Sequence, residues 1–226
     1  MDIYFNKKFN KILSLGSNCY PKLFIEKIIK PPYGQTELFD YIGTSMWSIH
    51  QLLKNDFVDM INNSYLQLQQ TIEGEKPIVI NTKYYLRFKH DLKEVPRTKD
   101  SEFHKKIKRR ILRFKENSIQ FDKILFIRHQ ETQTKRIPFG IQQTQQTCSE
   151  LEELRHVLDI LQVRYNSKNV KVIYINLDTD GWNEKHDIFS VKIDSLDYDW
   201  KEAHTVIKTL FEEKKVMEQL DIELNI

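Results

Sequence analysis

Two short runs, Lys123-Ile-Leu-Phe-Ile-Arg128 and Val170–Leu177, are almost continuously apolar, and a helical stretch separates them. A strand with one wet face alternates apolar and polar residues. A continuous run needs cover on both faces, which crossover helices give to the central strands of a parallel sheet. Lys11–Leu15, with Ile12, Leu13 and Leu15, reads as a third strand of this kind. The spacing predicts a helix over Ser101–Asn117, with Phe103, Ile107, Ile111, Leu112 and Phe114 on one side. It predicts another from Ser149, where Glu152 stands at the capping-box position and Leu151, Leu154, Leu158 and Leu161 form the buried stripe.

The remaining segments fit between these elements. Pro21–Lys30 reads as a short helix stopped at Pro31-Pro32-Tyr33-Gly34, and Leu38–Ile42 as an apolar turn or strand. Thr44 or Ser45 can cap a helix carrying Trp47, Ile49, Leu52 and Leu53 to about Asn55. Phe57–Leu68 is helical or irregular, Pro77–Lys89 gives one or two strands, and Phe189–Ile193 a late strand. Residues 136–147 read as loop, and Trp200–Leu220 as a closing helix. The order β-α-α-β-α-β-α-β-α predicts a single α/β domain over residues 1–226, layered α-β-α around a mostly parallel sheet.

Composition excludes several classes. With 40% apolar and 12% aromatic residues the chain is not disordered. Its +3 net charge, from 35 basic and 32 acidic residues, does not mark a nucleic-acid binder. No apolar run approaches the roughly 18 residues of a membrane span, and the polar N-terminus is unlike a secretory leader. Cys19 and Cys148 alone form neither a disulfide framework nor a zinc site, so a cytoplasmic location is expected. No metal-ligand spacing and no phosphate- or dinucleotide-binding glycine motif is visible, so no metal and no cofactor is expected.

Functional groups in a parallel sheet gather at the carboxyl ends of its strands. Cys19 follows the first strand through Gly16-Ser17-Asn18, at a helix start where N–H groups and the helix dipole favour a thiolate. His90 and Asp91 follow a second strand; Arg128, His129 and Glu131 end a third; Asp178–Asp180 end a fourth. Cys19 and His90 can form an activated nucleophile, with Asp40 or Asp91 orienting the imidazole. His50, His104, His156, His186 and His204 read as surface residues on helices or loops. The run Lys105, Lys106, Lys108, Arg109, Arg110, Arg113 and Lys115 reads as a solvated helix face or an anionic-ligand patch. Arginines on the apolar side of that helix need buried carboxylate partners, so Arg110 or Arg113 should reach Asp40 or Asp91. Asn18, Arg110, Arg113 and Arg128 are the candidate ligand contacts.

Taken in order, Ser14-Leu-Gly-Ser-Asn-Cys19, Leu38-Phe-Asp-Tyr41, Leu52–Phe57, His90-Asp91, Lys108–Phe114 and Lys123–Arg128 resemble a known family. It is a domain family of unknown function described as papain-like cysteine peptidases, found in bacteria and some large viruses. The resemblance runs over about residues 10–130, and more loosely to about 200. It implies a Cys-His pair on Cys19 and His90. The family's aromatic-Asp-Trp motif falls on Phe39-Asp40-Tyr41, with Leu38 where a proline is usual. It also offers a papain-like α+β fold as the alternative to the α/β pattern. The expected function is a thiol-dependent hydrolase or acyl transferase acting on a peptide, acyl or glycan substrate. The alternative is a non-peptidase α/β domain that binds or modifies a glycan or phosphorylated ligand.

Overall fold

The computed structural model describes residues 9–17, 19–29, 35–69, 77–92, 94–121, 123–130, 149–166, 169–183, 187–193, 205 and 209. The three apolar runs form the strands expected of them. β1 (Lys11–Ser14), β5 (Ile124–His129) and β6 (Val170–Asn176) lie side by side and parallel, with Lys11 opposite Ile124 and Ile124 opposite Val170. β8 (Ile188–Lys192) continues the sheet in parallel. β7 (Gly181–Asn183), which the sequence pattern does not reveal, closes one edge antiparallel, giving the order β1-β5-β6-β8-β7. All six residues of β5 are buried. Leu13, Ile124, Phe126, Val172 and Ile188 face one main core. Ile12, Leu125, Ile127, Ile173 and Val191, on the opposite pleat, are equally buried. The sheet is therefore covered on both faces, as its composition requires.

The helices begin where serine caps place them. Ser45, Ser101 and Ser149 accept from the N–H groups of Ser48, His104 and Glu152, opening α2 (Met46–Lys54), α3 (Glu102–Gln120) and α4 (Glu150–Arg164). α2 packs on α4, and α4 on β6. α1 (Tyr20–Phe24) packs on β1 and β5 and runs directly into a π-helical turn, Ile25–Ile29. The single α-helix expected over Pro21–Lys30 is thus split by a widened turn. The segment Phe57–Leu68 becomes turns, a 3₁₀ turn at Asn63–Tyr65 and β2 (Leu66–Gln69).

One expectation is corrected. Pro77–Lys89 does supply two strands, β3 (Ile78–Asn81) and β4 (Leu86–Arg87), but they do not join the parallel sheet. They pair antiparallel with β2 in a separate sheet, β2-β3-β4. His90 and Asp91 therefore leave a different sheet from the one that ends at Cys19. The physical reason is length: β4 is two residues long and reaches Ile80 and Asn81 through a tight turn at residues 82–85. The antiparallel sheet is tied to the rest by a backbone bridge between Gly43 and Arg87, with N···O distances of 3.0 and 2.9 Å. The papain-like α+β alternative is not what forms, since the sheet that delivers Cys19 is parallel. The expected loop at 136–147 and closing helix at 200–220 lie outside the described residues.

Candidate functional site

Cys19 leaves β1 through a turn that the chain holds under strain. Gly16 (φ 70°) and Ser17 (φ 84°) both lie in the left-handed region. Gly16 is required there twice over, since a Cβ would also sit 2.3 Å from Thr44 Oγ1. Ser17 is a non-glycine residue in that region, held because its N–H donates to Thr44 Oγ1 (3.1 Å) and its carbonyl accepts from Thr44 N (3.4 Å). Arg128 fixes the same turn from below. Its guanidinium is fully buried in β5, and Nη1 donates to the carbonyls of Leu15 and Thr44, each at 3.0 Å. Nε donates to Glu150 Oε1 at 2.8 Å, at the start of α4. A buried guanidinium is tolerated only when its donors are satisfied, and here they crosslink three elements.

At the end of this turn Cys19 is the N-cap of α1, half-buried and free. Burial pushes its thiol above the ordinary value; its own backbone N–H and the nearby Lys89 pull the other way. The helix start thus does not leave a standing thiolate. Lys22 and Glu26 follow Cys19 at offsets of three and seven, on one helix face. Lys22 is buried, 2.9 Å from Asp40 and 3.3 Å from Glu26. Asp40 is 1% exposed and also accepts from the N–H of Glu37 at 2.8 Å. Burial raises its carboxyl pKa, with Lys22 and that N–H opposing.

The next residue, Tyr41, has φ 62°. Its hydroxyl donates to Glu26 Oε2 at 3.2 Å, and burial, then Glu26, push its pKa up to about 12, with Asp40 and Cys19 adding to the rise. Its ring meets that of His90 edge-on, with centroids 5.5 Å apart. His90 itself is exposed. Tyr41 thus meets the ring of His90, while Cys19 acts on it only through charge; among the described residues no hydrogen bond joins Cys19 to His90. Asp91 turns away from His90. Its side chain, 3% exposed, pairs with Lys106 and with Arg110 Nη1 at 3.1 Å. The expectation that Arg110 seeks a buried carboxylate is met there, although Lys106 shares the partner instead of facing water alone. Arg113 takes the other half of the site, donating to Gln35 Oε1 and the Thr36 carbonyl, with Nε 3.6 Å from Glu37. One face of α3 thus grips both the His90 turn and the segment leading to Asp40. Asn18, Glu131 and Cys148 lie outside the described residues.

His129 ends β5 on the pleat opposite Arg128. It is 1% exposed and 5.3 Å from the Tyr20 ring. Its Nδ1–H donates to the Gln130 carbonyl at 3.0 Å, and burial lowers its pKa to about 4. His104, expected at the surface, is buried between Ser101 and the Ile61 carbonyl; His50 pairs with Glu153 and stacks on His156. Tyr41, Lys22, Glu26 and Thr44 are the site residues that sequence reasoning missed. The signal available for Tyr41 was its place beside Asp40 in a motif that otherwise carries tryptophan.

The fold is an α/β domain whose parallel sheet presents a cysteine at a strand-to-helix turn, with His90 following a second, antiparallel sheet. The chain belongs to the family described as "Putative papain-like cysteine peptidase (DUF1796)", which matches residues 10–181. No curated protein and no solved structure matches it. Among the described residues no helix is long and apolar enough to cross a membrane, and no group of three or more His, Cys, Asp or Glu side chains could hold a metal ion.

Proposed function

We propose that the chain is a cytoplasmic thiol-dependent hydrolase or acyl transferase, with Cys19 as nucleophile and His90 as its base. The observation that supports this reading is the half-buried free thiol of Cys19 at the start of α1, with the exposed imidazole of His90 set against the ring of Tyr41. With its pKa raised, Cys19 rests as a thiol. His90 then acts as a general base, taking the S–H proton as sulfur attacks the carbonyl of a peptide, acyl or glycan-ester substrate. The acyl group moves to sulfur, the leaving group takes the proton from His90, and water or an acceptor releases the product. Apo geometry without a formed S–H···N bond is compatible with this role, because such bonds tighten when substrate binds.

The binding-domain alternative loses support from the arginines it would use. Arg110, Arg113 and Arg128 already donate to carboxylates and carbonyls of the fold, so an anionic ligand would have to displace them. The test is acylation of the full chain by p-nitrophenyl acetate, followed by mass spectrometry. Cys19 should acylate faster per thiol than free cysteine at neutral pH. Cys19→Ser should lose the adduct, and His90→Ala should slow its formation by about a hundredfold, the usual scale of general-base assistance. A wild-type rate no higher than that of free cysteine, or one indifferent to His90→Ala, overturns the proposal.

A further inference from the structure

We infer that Tyr41 is the positioning residue for His90, taking the place a carboxylate usually holds behind the imidazole of a thiol–imidazole pair. This rests on the Cys19–His90 reading above and names what orients the base.

Both carboxylates adjacent in sequence are committed elsewhere. Asp91 spends its oxygens on Lys106 and Arg110 of α3, and Asp40 on Lys22 and the N–H of Glu37. What touches His90 is the Tyr41 ring, at 5.5 Å between centroids and 61° between planes. An edge-to-face aromatic contact fixes a ring plane without accepting its N–H.

Tyr41 is itself held against cost. A bulky residue at φ 62° is an outlier, and such strain persists only where neighbours over-determine it. The determinants are visible. Leu38, Phe39 and Ile42 are buried to within 1% of full cover. The Ile42 N–H reaches the Phe39 carbonyl at 3.4 Å, and Asp40 is pinned by Lys22. The hydroxyl of Tyr41 is anchored to Glu26, on the π-helical turn that continues the helix Cys19 caps. The side chain thus spans from the nucleophile's own helix to the turn that carries the imidazole. It is a spacer of fixed length between two elements that belong to different sheets.

The test separates the ring from the hydroxyl and from mere stability. In the unsubstituted chain, proton NMR should give a nuclear Overhauser contact between the Tyr41 and His90 rings. His90 should also carry a ring-current shift that survives Tyr41→Phe and vanishes in Tyr41→Gly. Glycine is chosen because it accepts the positive φ. In acylation by p-nitrophenyl acetate, Tyr41→Phe, which keeps the ring and loses the Glu26 anchor, should be slowed less than Tyr41→Gly. Tyr41→Gly should fall at least about tenfold, the cost of a base misplaced by a fraction of an ångström. Its pH–rate profile should move as well, which a purely structural role would leave unchanged. The double variant Tyr41→Gly/His90→Ala should be no slower than His90→Ala alone, because one residue acts through the other. Absence of the inter-ring contact, parental rates in Tyr41→Gly, or losses that multiply in the double variant each overturn the inference. If His90→Ala slows acylation and Tyr41→Gly does not, this inference alone falls. If His90→Ala has no effect, the base assignment falls with it.

Discussion

The parallel sheet and the small antiparallel sheet reach the site by opposite means. The first holds its strands by continuous hydrophobic burial, with β5 covered along its full length, and ties the Cys19 turn to them through Arg128 and Thr44. The second buries Val79, Leu86 and Phe88 as well, but holds the turn of His90 and Asp91 with further polar ties. These are the Gly43–Arg87 bridge, Asp91 to Arg110 and Lys106, and Asn81, whose side chain donates to the Asp59 and Met60 carbonyls and accepts from the N–H groups of Lys83 and Tyr84. Burial is non-directional and fixes a sheet as a block. Hydrogen bonds fix angles, and can be lost one at a time. Cys19 therefore follows the sheet fixed chiefly by burial, and His90 the one that leans further on directional ties.

The comparison is most exposed at Arg128. Arg128→Ala removes a buried guanidinium that ties Glu150 to the Leu15 and Thr44 carbonyls, and should cost about 3–5 kcal/mol in urea unfolding. A loss below about 1 kcal/mol, the scale of a surface pair, would mean the turn is held by packing alone. His129 gives the next effect. Its folded pKa of about 4 lies below the ordinary 6.5, so the folded state binds fewer protons between those values. Stability is whole above about pH 6.5 and should fall by about 3 kcal/mol as pH drops towards 4. His129→Gln should flatten that limb; an unchanged limb would assign acid unfolding to other groups.

Asp91→Asn breaks the second region at its ion pair and leaves Arg110, 4% exposed, without a counter-charge. The expected loss is about 2 kcal/mol, with hydrogen exchange quickening in β3 and β4 before β5 and β6. Equal quickening in both sheets would erase the distinction. Smallest is Glu102→Gln, at an exposed pair with Lys105, whose urea midpoint should match that of the parent.

The first region was legible in the sequence; of the second, the strands within 77–89 were legible and the sheet they join was not. Continuous apolar runs at 124–127 and 172–175 have one solution, a strand covered on both faces, and serine at 45, 101 and 149 marks helix starts by local chemistry. The antiparallel sheet pairs residues close in the chain, but its attachment to the rest rests on the bridge from Gly43 to Arg87. Nothing local to Leu86–Arg87 says that Gly43 will pair with it. His104 shows the same limit: it looked like a surface residue, yet Ser101 and the Ile61 carbonyl satisfy both ring nitrogens in the interior. Arg128 was read at the end of its strand, whereas it lies inside β5 and meets the Leu15 and Thr44 carbonyls and Glu150. The Arg110–Asp91 pair was foreseeable from residue chemistry; the left-handed backbone of Tyr41 was not.

The hydrogen bonds of Arg128 also bear on how this chain can diverge. Two of them end on main-chain carbonyls, at Leu15 and Thr44, which every amino acid supplies. Those ties therefore place no demand on the side chain at position 15, where burial alone asks for an apolar residue. Position 16 is closed to anything but glycine, and 128, buried in β5, is the charge partner of 150 at the start of α4. Relatives of this chain can thus change at 15 only among apolar residues, are locked at 16, and should exchange 128 and 150 together, arginine and glutamate for a neutral pair in a single coupled step.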